Sequence, residues 1–286
     1  MAALILIICS LLQEGEGMVM RRYGKKHAVG GIFFNSVICL FSTLFFLLTD
    51  KNGLVFPKEL FVYGIICAFM IAGGFYFAYV ALYTGSFVVT KVIGSFNGIF
   101  PILYGILFLK EPAKLTTYLG TIMIFTSLIL MSAQTTSKNH GKKFSLKWLM
   151  FALAAAVSNG FISILSRMQQ IRFDNSCDNE FMVIAFGGGA IILAVIGLLH
   201  EKDDISYILK YGTLYGLCTG MINGAKNLLN LFLYLLIPIS VATPLRSGVS
   251  FVVSFLISVV IYKETFSKTQ LLSIILGTLS IFMFMF

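Results

Sequence analysis

Charge is what this sequence lacks. Of its 286 residues only 12% are Asp, Glu, Lys or Arg, about half the roughly 25% of an ordinary soluble domain. In their place 58% are hydrophobic, and the mean hydropathy is +0.93. A water-soluble fold of this size would have too little polar surface to cover its core, so that class is excluded. There are only three histidines, and His27, His140 and His200 read as loop residues between apolar runs. No H-E-x-x-H, no G-x-S-x-G and no His/Asp cluster at metal-ligand spacing occurs. A membrane-embedded enzyme is therefore the outside class, and neither a metal nor a cofactor is expected. The five cysteines, Cys9, Cys39, Cys67, Cys177 and Cys218, show no C-x-x-C spacing. Four of them lie inside apolar runs, where a thiol packs as a small hydrophobe. No segment is long and polar enough for a soluble domain, which disfavours a scaffold or signalling role.

What is present is a series of apolar runs near the length that crosses ~30 Å of hydrocarbon at ~1.5 Å per residue. They occupy residues 2–20, 29–49, 59–82, 86–108 and 114–133, then 147–167, 180–199, 211–236, 239–262 and 268–286. The first lacks both a basic n-region and a small-residue cleavage site, so it reads as a retained transmembrane helix. The net charge of +9 sits in clusters between runs, notably Arg21, Arg22, Lys25 and Lys26, and Lys138, Lys142, Lys143 and Lys147. Such clusters orient a membrane protein, and without aromatic interleaving they do not point to nucleic acid. The expected class is an all-α integral membrane protein, multi-pass in the cell membrane. Its expected partners are the lipid bilayer and a small-molecule substrate, the chain being a monomer or a homodimer.

The segment 134–146, rich in Thr, Ser, Lys and Gly, divides the chain into residues 1–133 and 147–286. Each part holds five apolar runs, and each fourth run ends on a Lys-Glu pair, Lys110-Glu111 in one and Lys263-Glu264 in the other. Five is odd, so the second part must enter the membrane from the opposite side. The ten helices are thus expected as two inverted five-helix repeats, an arrangement that builds many secondary transporters.

The stretch from Phe77-Ala78-Tyr79-Val80-Ala81-Leu82 to Lys110-Glu111-Pro112, followed by a Gly-containing helix, resembles the EamA-type domain of the drug/metabolite transporter superfamily. The resemblance covers nearly the whole chain as two repeats. It implies a transporter working by alternating access, with Glu111 and Glu264 matching the Glu that closes the family's pore-lining helix. It also implies cytoplasmic termini, whereas the Lys and Arg distribution among the loops puts both termini outside. The chain departs from the family in its first helix, which carries Gln13-Glu14-Gly15-Glu16-Gly17 where Trp-Gly is often found.

Ionisable groups inside a bilayer are costly and mark candidate sites. Glu14 and Glu16 lie two-thirds of the way along the first run and are candidate proton-coupling groups, with Glu14 expected to be the deeper. Two residues apart, they point to different sides of a helix. If that helix ends early, both merely sit at the water interface. In the eighth run Asn223, Lys226, Asn227 and Asn230 fall at i, i+3, i+4 and i+7, on one face. That stripe must face protein or water, as an interhelical network or as a substrate site. Lys91 in the fourth run and Arg246 in the ninth occupy pseudo-symmetric places, with Ser247 beside Arg246. A cavity lined by Lys91, Lys226 and Arg246 suits an anionic or zwitterionic metabolite such as an amino acid, moved with a coupling ion or by exchange. The alternative is export of cationic drug-like compounds held by Glu14.

Overall fold

The computed structural model describes residues 1–27, 31–50, 53–84, 90, 93–94, 96–111, 114–136, 145–260 and 268–283. Ten α-helices of nine residues or more lie among them, with no strand. In chain order they are α1 Ala2–His27, α2 Ile32–Thr49, α3 Lys58–Thr84, α4 Ile99–Leu107 and α5 Leu115–Thr136. After these come α6 Leu146–Arg172, α7 Asp178–His200, α8 Thr213–Leu236, α9 Ile239–Val260 and α10 Lys268–Met283. A 3₁₀ turn, Phe96–Gly98, leads into α4, and a π-helical turn, Ile208–Gly212, leads into α8.

Two helices outrun the apolar residues that nucleate them. α1 continues through Arg21 and Arg22 to His27, and α6 through Arg167, Gln169 and Gln170 to Arg172. Arg, Lys, Gln and Met are good helix formers, and the Lys25, Lys26 and His27 of the last turn of α1 complement the negative end of the helix dipole. His27 and His200 therefore end helices instead of lying in loops; His140 lies outside the described residues.

Among the described residues six helices are long and apolar enough to cross a membrane: Ala2–His27, Ile32–Thr49, Lys58–Thr84, Leu146–Arg172, Asp178–His200 and, within α9, Ile239–Ile257. Phe96–Leu107, Leu115–Ser127 and Leu271–Met283 are shorter apolar helices. With 24 residues α8 is also long enough, but its asparagines and Lys226 interrupt the apolar sequence. Large apolar side chains such as Leu48, Ile191 and Leu199 stand exposed on these helices, which a hydrocarbon surrounding accommodates without cost. The protein is a multi-pass integral membrane protein.

Packing divides the chain into two compact units that do not follow the sequence halves. The first unit comprises Met1–Leu11, Val80–Gly160 and Phe232–Phe286; the second comprises Leu12–Tyr79 and Phe161–Leu231. Each draws on residues from both sides of the central linker.

In the second unit α2 packs along α7 around Cys39, Phe46, Phe181, Ala185 and Leu193, and the Ser36 hydroxyl donates to the Ala190 carbonyl at 2.9 Å. At Gly220 of α8 a Cβ would sit 2.6 Å from the Ile38 carbonyl oxygen, so only glycine lets the two backbones approach. The N-terminus of α2 is closed by Glu201, whose Oε1 accepts from Ile32 N at 3.0 Å and Oε2 from Phe33 N at 2.9 Å.

In the first unit α5 packs along α10, and α9 lies against α4, α5 and α10. One of its cores gathers Leu6, Leu233, Tyr234, Ile239 and Ala242. Glu111 closes the N-terminus of α9 as Glu201 closes that of α2: Oε1 accepts from Ile239 N at 3.1 Å and Oε2 from Ser240 N at 2.9 Å. A carboxylate at a helix N-terminus satisfies orphan N–H groups and complements the dipole. Close packing at Gly105 makes room for it, since a Cβ there would overlap Glu111 Oε2 and stand 3.0 Å from Ser240 Cβ. The corresponding Glu264 lies outside the described residues.

Candidate functional site

The stripe on α8 takes its partner from α1. Glu16 is only 9% exposed. Its Oε1 accepts from Asn223 Nδ2 at 3.0 Å, and its Oε2 pairs with Lys226 Nζ. Asn227 Nδ2 donates back to the carbonyl and to the Oδ1 of Asn223, at 2.8 and 3.0 Å. The side chains of Lys226 and Glu16 are 18% and 11% exposed, so this is a largely desolvated ion pair. Asn230, one turn further on, is buried with Oδ1 lacking a partner. The 3–4 spacing on α8 thus gathers all four side chains on one face, as the sequence suggests. Of the two glutamates, Glu16 is the more buried, whereas the sequence favours Glu14; Glu14 is half-buried. Because α1 extends to His27, Glu16 lies well inside a helix and not at its frayed end.

Arg246 and Ser247 lie on α9, in the first unit. Arg246 is half-buried and has no hydrogen bond or ion pair among the described residues. The neighbouring hydroxyls mostly turn back onto their own helix: Thr243 Oγ1 donates to Ile239 O at 2.9 Å and Ser247 Oγ to Thr243 O at 3.2 Å. Lys91, expected beside these cations, lies outside the described residues. Lys226 and Arg246 belong to different units.

A polar cluster that the sequence reading does not single out lies in the second unit, where the end of α6 meets the start of α7. Gln169 and Gln170 are 0% exposed. Gln169 Nε2 donates to Asp178 Oδ1, and Gln170 Nε2 donates to Asp178 Oδ2 and to the Leu231 carbonyl of α8, both at 3.1 Å. Arg167 Nη1 lies 3.5 Å from Gln170 Oε1. Gln169 Oε1, Asn179 Oδ1 and Arg167 Nε are buried without partners, and each such group costs about 1–3 kcal/mol. The available signal was an adjacent Gln pair, then Asp178-Asn179, flanking the break between two apolar runs. Ending the sixth run at residue 167 on polarity alone hides it.

The model of the EamA-like transporter family matches the chain twice, over residues 1–133 and 146–286. An uncharacterized protein of Methanocaldococcus jannaschii is 28% identical over 117 residues, which cover 36% of this chain and 85% of the relative. A solved crystal structure of a protein with 16% sequence identity matches with a TM-score of 0.73, over 99% of this chain and 98% of that one, and so shares the fold. With both matched segments spanning nearly its whole length, the chain belongs to the EamA-like transporter family, whose members are membrane transporters and not enzymes.

Proposed function

We propose that the protein is a secondary-active transporter moving a small zwitterionic or anionic metabolite, such as an amino acid, by alternating access. In this reading ten transmembrane helices form two inverted five-helix repeats, bounded as 1–133 and 147–286. The observation that carries the substrate class is the Lys226–Glu16 pair with Asn223 on the same carboxylate. A substrate of one sign that opened this pair would compensate only one of its two charges, and breaking a largely desolvated pair is unfavourable. A zwitterion satisfies both, its carboxylate meeting Lys226 and its ammonium meeting Glu16.

The test is reconstitution into proteoliposomes and uptake of a labelled panel of neutral amino acids, dicarboxylates, phosphate esters and organic cations, with and without a proton gradient. Saturable uptake of zwitterions or anions is expected. Saturable flux of organic cations alone, or no flux together with turnover of a lipid, overturns the reading.

A further inference from the structure

The cluster at Asp178 stands apart from the Glu16–Lys226 pair, and it leaves the carbonyl oxygen of Gln169 without a donor. Both carboxylate oxygens face amide nitrogens, Gln169 Nε2 at Oδ1 and Gln170 Nε2 at Oδ2. A primary amide is planar and carries an acceptor oxygen beside its two N–H donors. In the fully buried Gln169 that oxygen, Oε1, has neither a partner nor surface open to water. The charged groups facing Asp178 are Arg167 on α6 and Glu180 on α7. Glu180 is engaged by the Val55 N–H at 3.1 Å, and Arg167 reaches Gln170 Oε1 instead of Gln169.

A single proton supplies the missing donor. Bound to Asp178 Oδ2, it forms one O–H bond that donates to Gln169 Oε1 while Gln169 Nε2 keeps its bond to Oδ1. This is the two-point pairing of a carboxylic acid with a primary amide. No other bond is made or broken, and because Asp178 is itself only half-buried a proton can reach it. Resting on the transporter reading above, we propose that Asp178 is a proton-binding residue of the transport cycle, with Gln169 and Gln170 as its positioning residues. The link to the substrate site runs through α8. Gln170 bridges Asp178 and the Leu231 carbonyl, on the helix that carries Lys226. Neutralising Asp178 removes the charge assistance from the Gln170–Oδ2 bond and leaves Gln170 to its bond with α8.

Infrared titration of the lipid-embedded protein tests this without a substrate. The wild type is expected to show a protonated-carboxyl C=O band that rises as pH falls and is missing from Asp178→Asn, in which an amide N–H replaces the acid O–H. Asp178→Ser, which keeps a hydroxyl at the start of α7, must lack the same band and serves if the first variant does not fold. With a substrate from the panel in hand, gradient-driven accumulation is lost in Asp178→Asn and the pH dependence of its exchange flux flattens. Identical bands in wild type and variants, or undiminished proton-driven accumulation in Asp178→Asn, overturns the assignment. If no panel compound is transported, the transport reading fails by itself and the infrared difference still decides the proton site.

Discussion

α8 and α9 both carry polar residues at helical spacing through apolar sequence, yet they use them differently. On α9 the hydroxyls of Thr243 and Ser247 return to carbonyls four residues back, a local bond open to Ser and Thr in any helix. On α8 Asn223 and Lys226 reach out to Glu16, more than 200 residues away in sequence. A Lys ammonium has three donors and no acceptor, and its own helix offers no counter-charge. In hydrocarbon it must be met from outside. Ser250 Oγ, which donates to Ser10 Oγ of α1 at 3.1 Å, is the exception on α9, so a hydroxyl stripe is weaker evidence of an external partner than amides around a cation.

The comparison breaks most visibly at the ion pair. Glu16→Ala breaks a largely desolvated ion pair, and reversible unfolding in mixed micelles is expected to lose about 3–5 kcal/mol. Adding Lys226→Met to that variant restores most of the loss; if the two losses simply add, the pair is not coupled. Lys226→Ala is expected to abolish transport in a protein that still folds, as checked by its gel-filtration profile. Retained transport in that variant removes Lys226 from the site.

The first unit has its own weak point, at Gly105. Gly105→Ala places a methyl group on the Glu111 carboxylate, and overpacking of this kind costs about 1–3 kcal/mol. Removing the two carboxylate caps gauges how alike the units are at their helix starts. Glu111→Ala and Glu201→Ala should each cost about 0.5–2 kcal/mol, with matching values expected from their matching bonds. The smallest effect belongs to Ser247→Ala, about 0.6 kcal/mol or less, since its hydroxyl serves only its own helix. A larger loss would show that α9 resembles α8 after all.

The helices were legible in the sequence because a bilayer demands long apolar runs, and the stripe on α8 because spacing alone puts its members on one face. Polarity misled where it was taken as a helix end. α1 and α6 carry Arg21, Arg22, Arg167, Gln169 and Gln170 in helical conformation, and the Asp178 cluster sits in that overlooked turn. Which of Glu14 and Glu16 is the more buried in protein depends on rotation about the axis of α1, for which two residues offer no periodicity. That Glu111 caps α9 was equally out of reach, because spacing within one helix says nothing about which distant N–H groups meet its final carboxylate.

The pairing of residue 16 with residue 226 also has a consequence for how the chain is made. Ribosomes add roughly 5–20 residues per second, so the 210 residues that separate Lys226 from Glu16 take roughly 10–40 seconds to follow it. For that interval the first helix holds a carboxylate whose counter-ion does not yet exist. The ion pair is therefore a late contact, formed only after α8 has been made, and the earlier steps of assembly proceed without it.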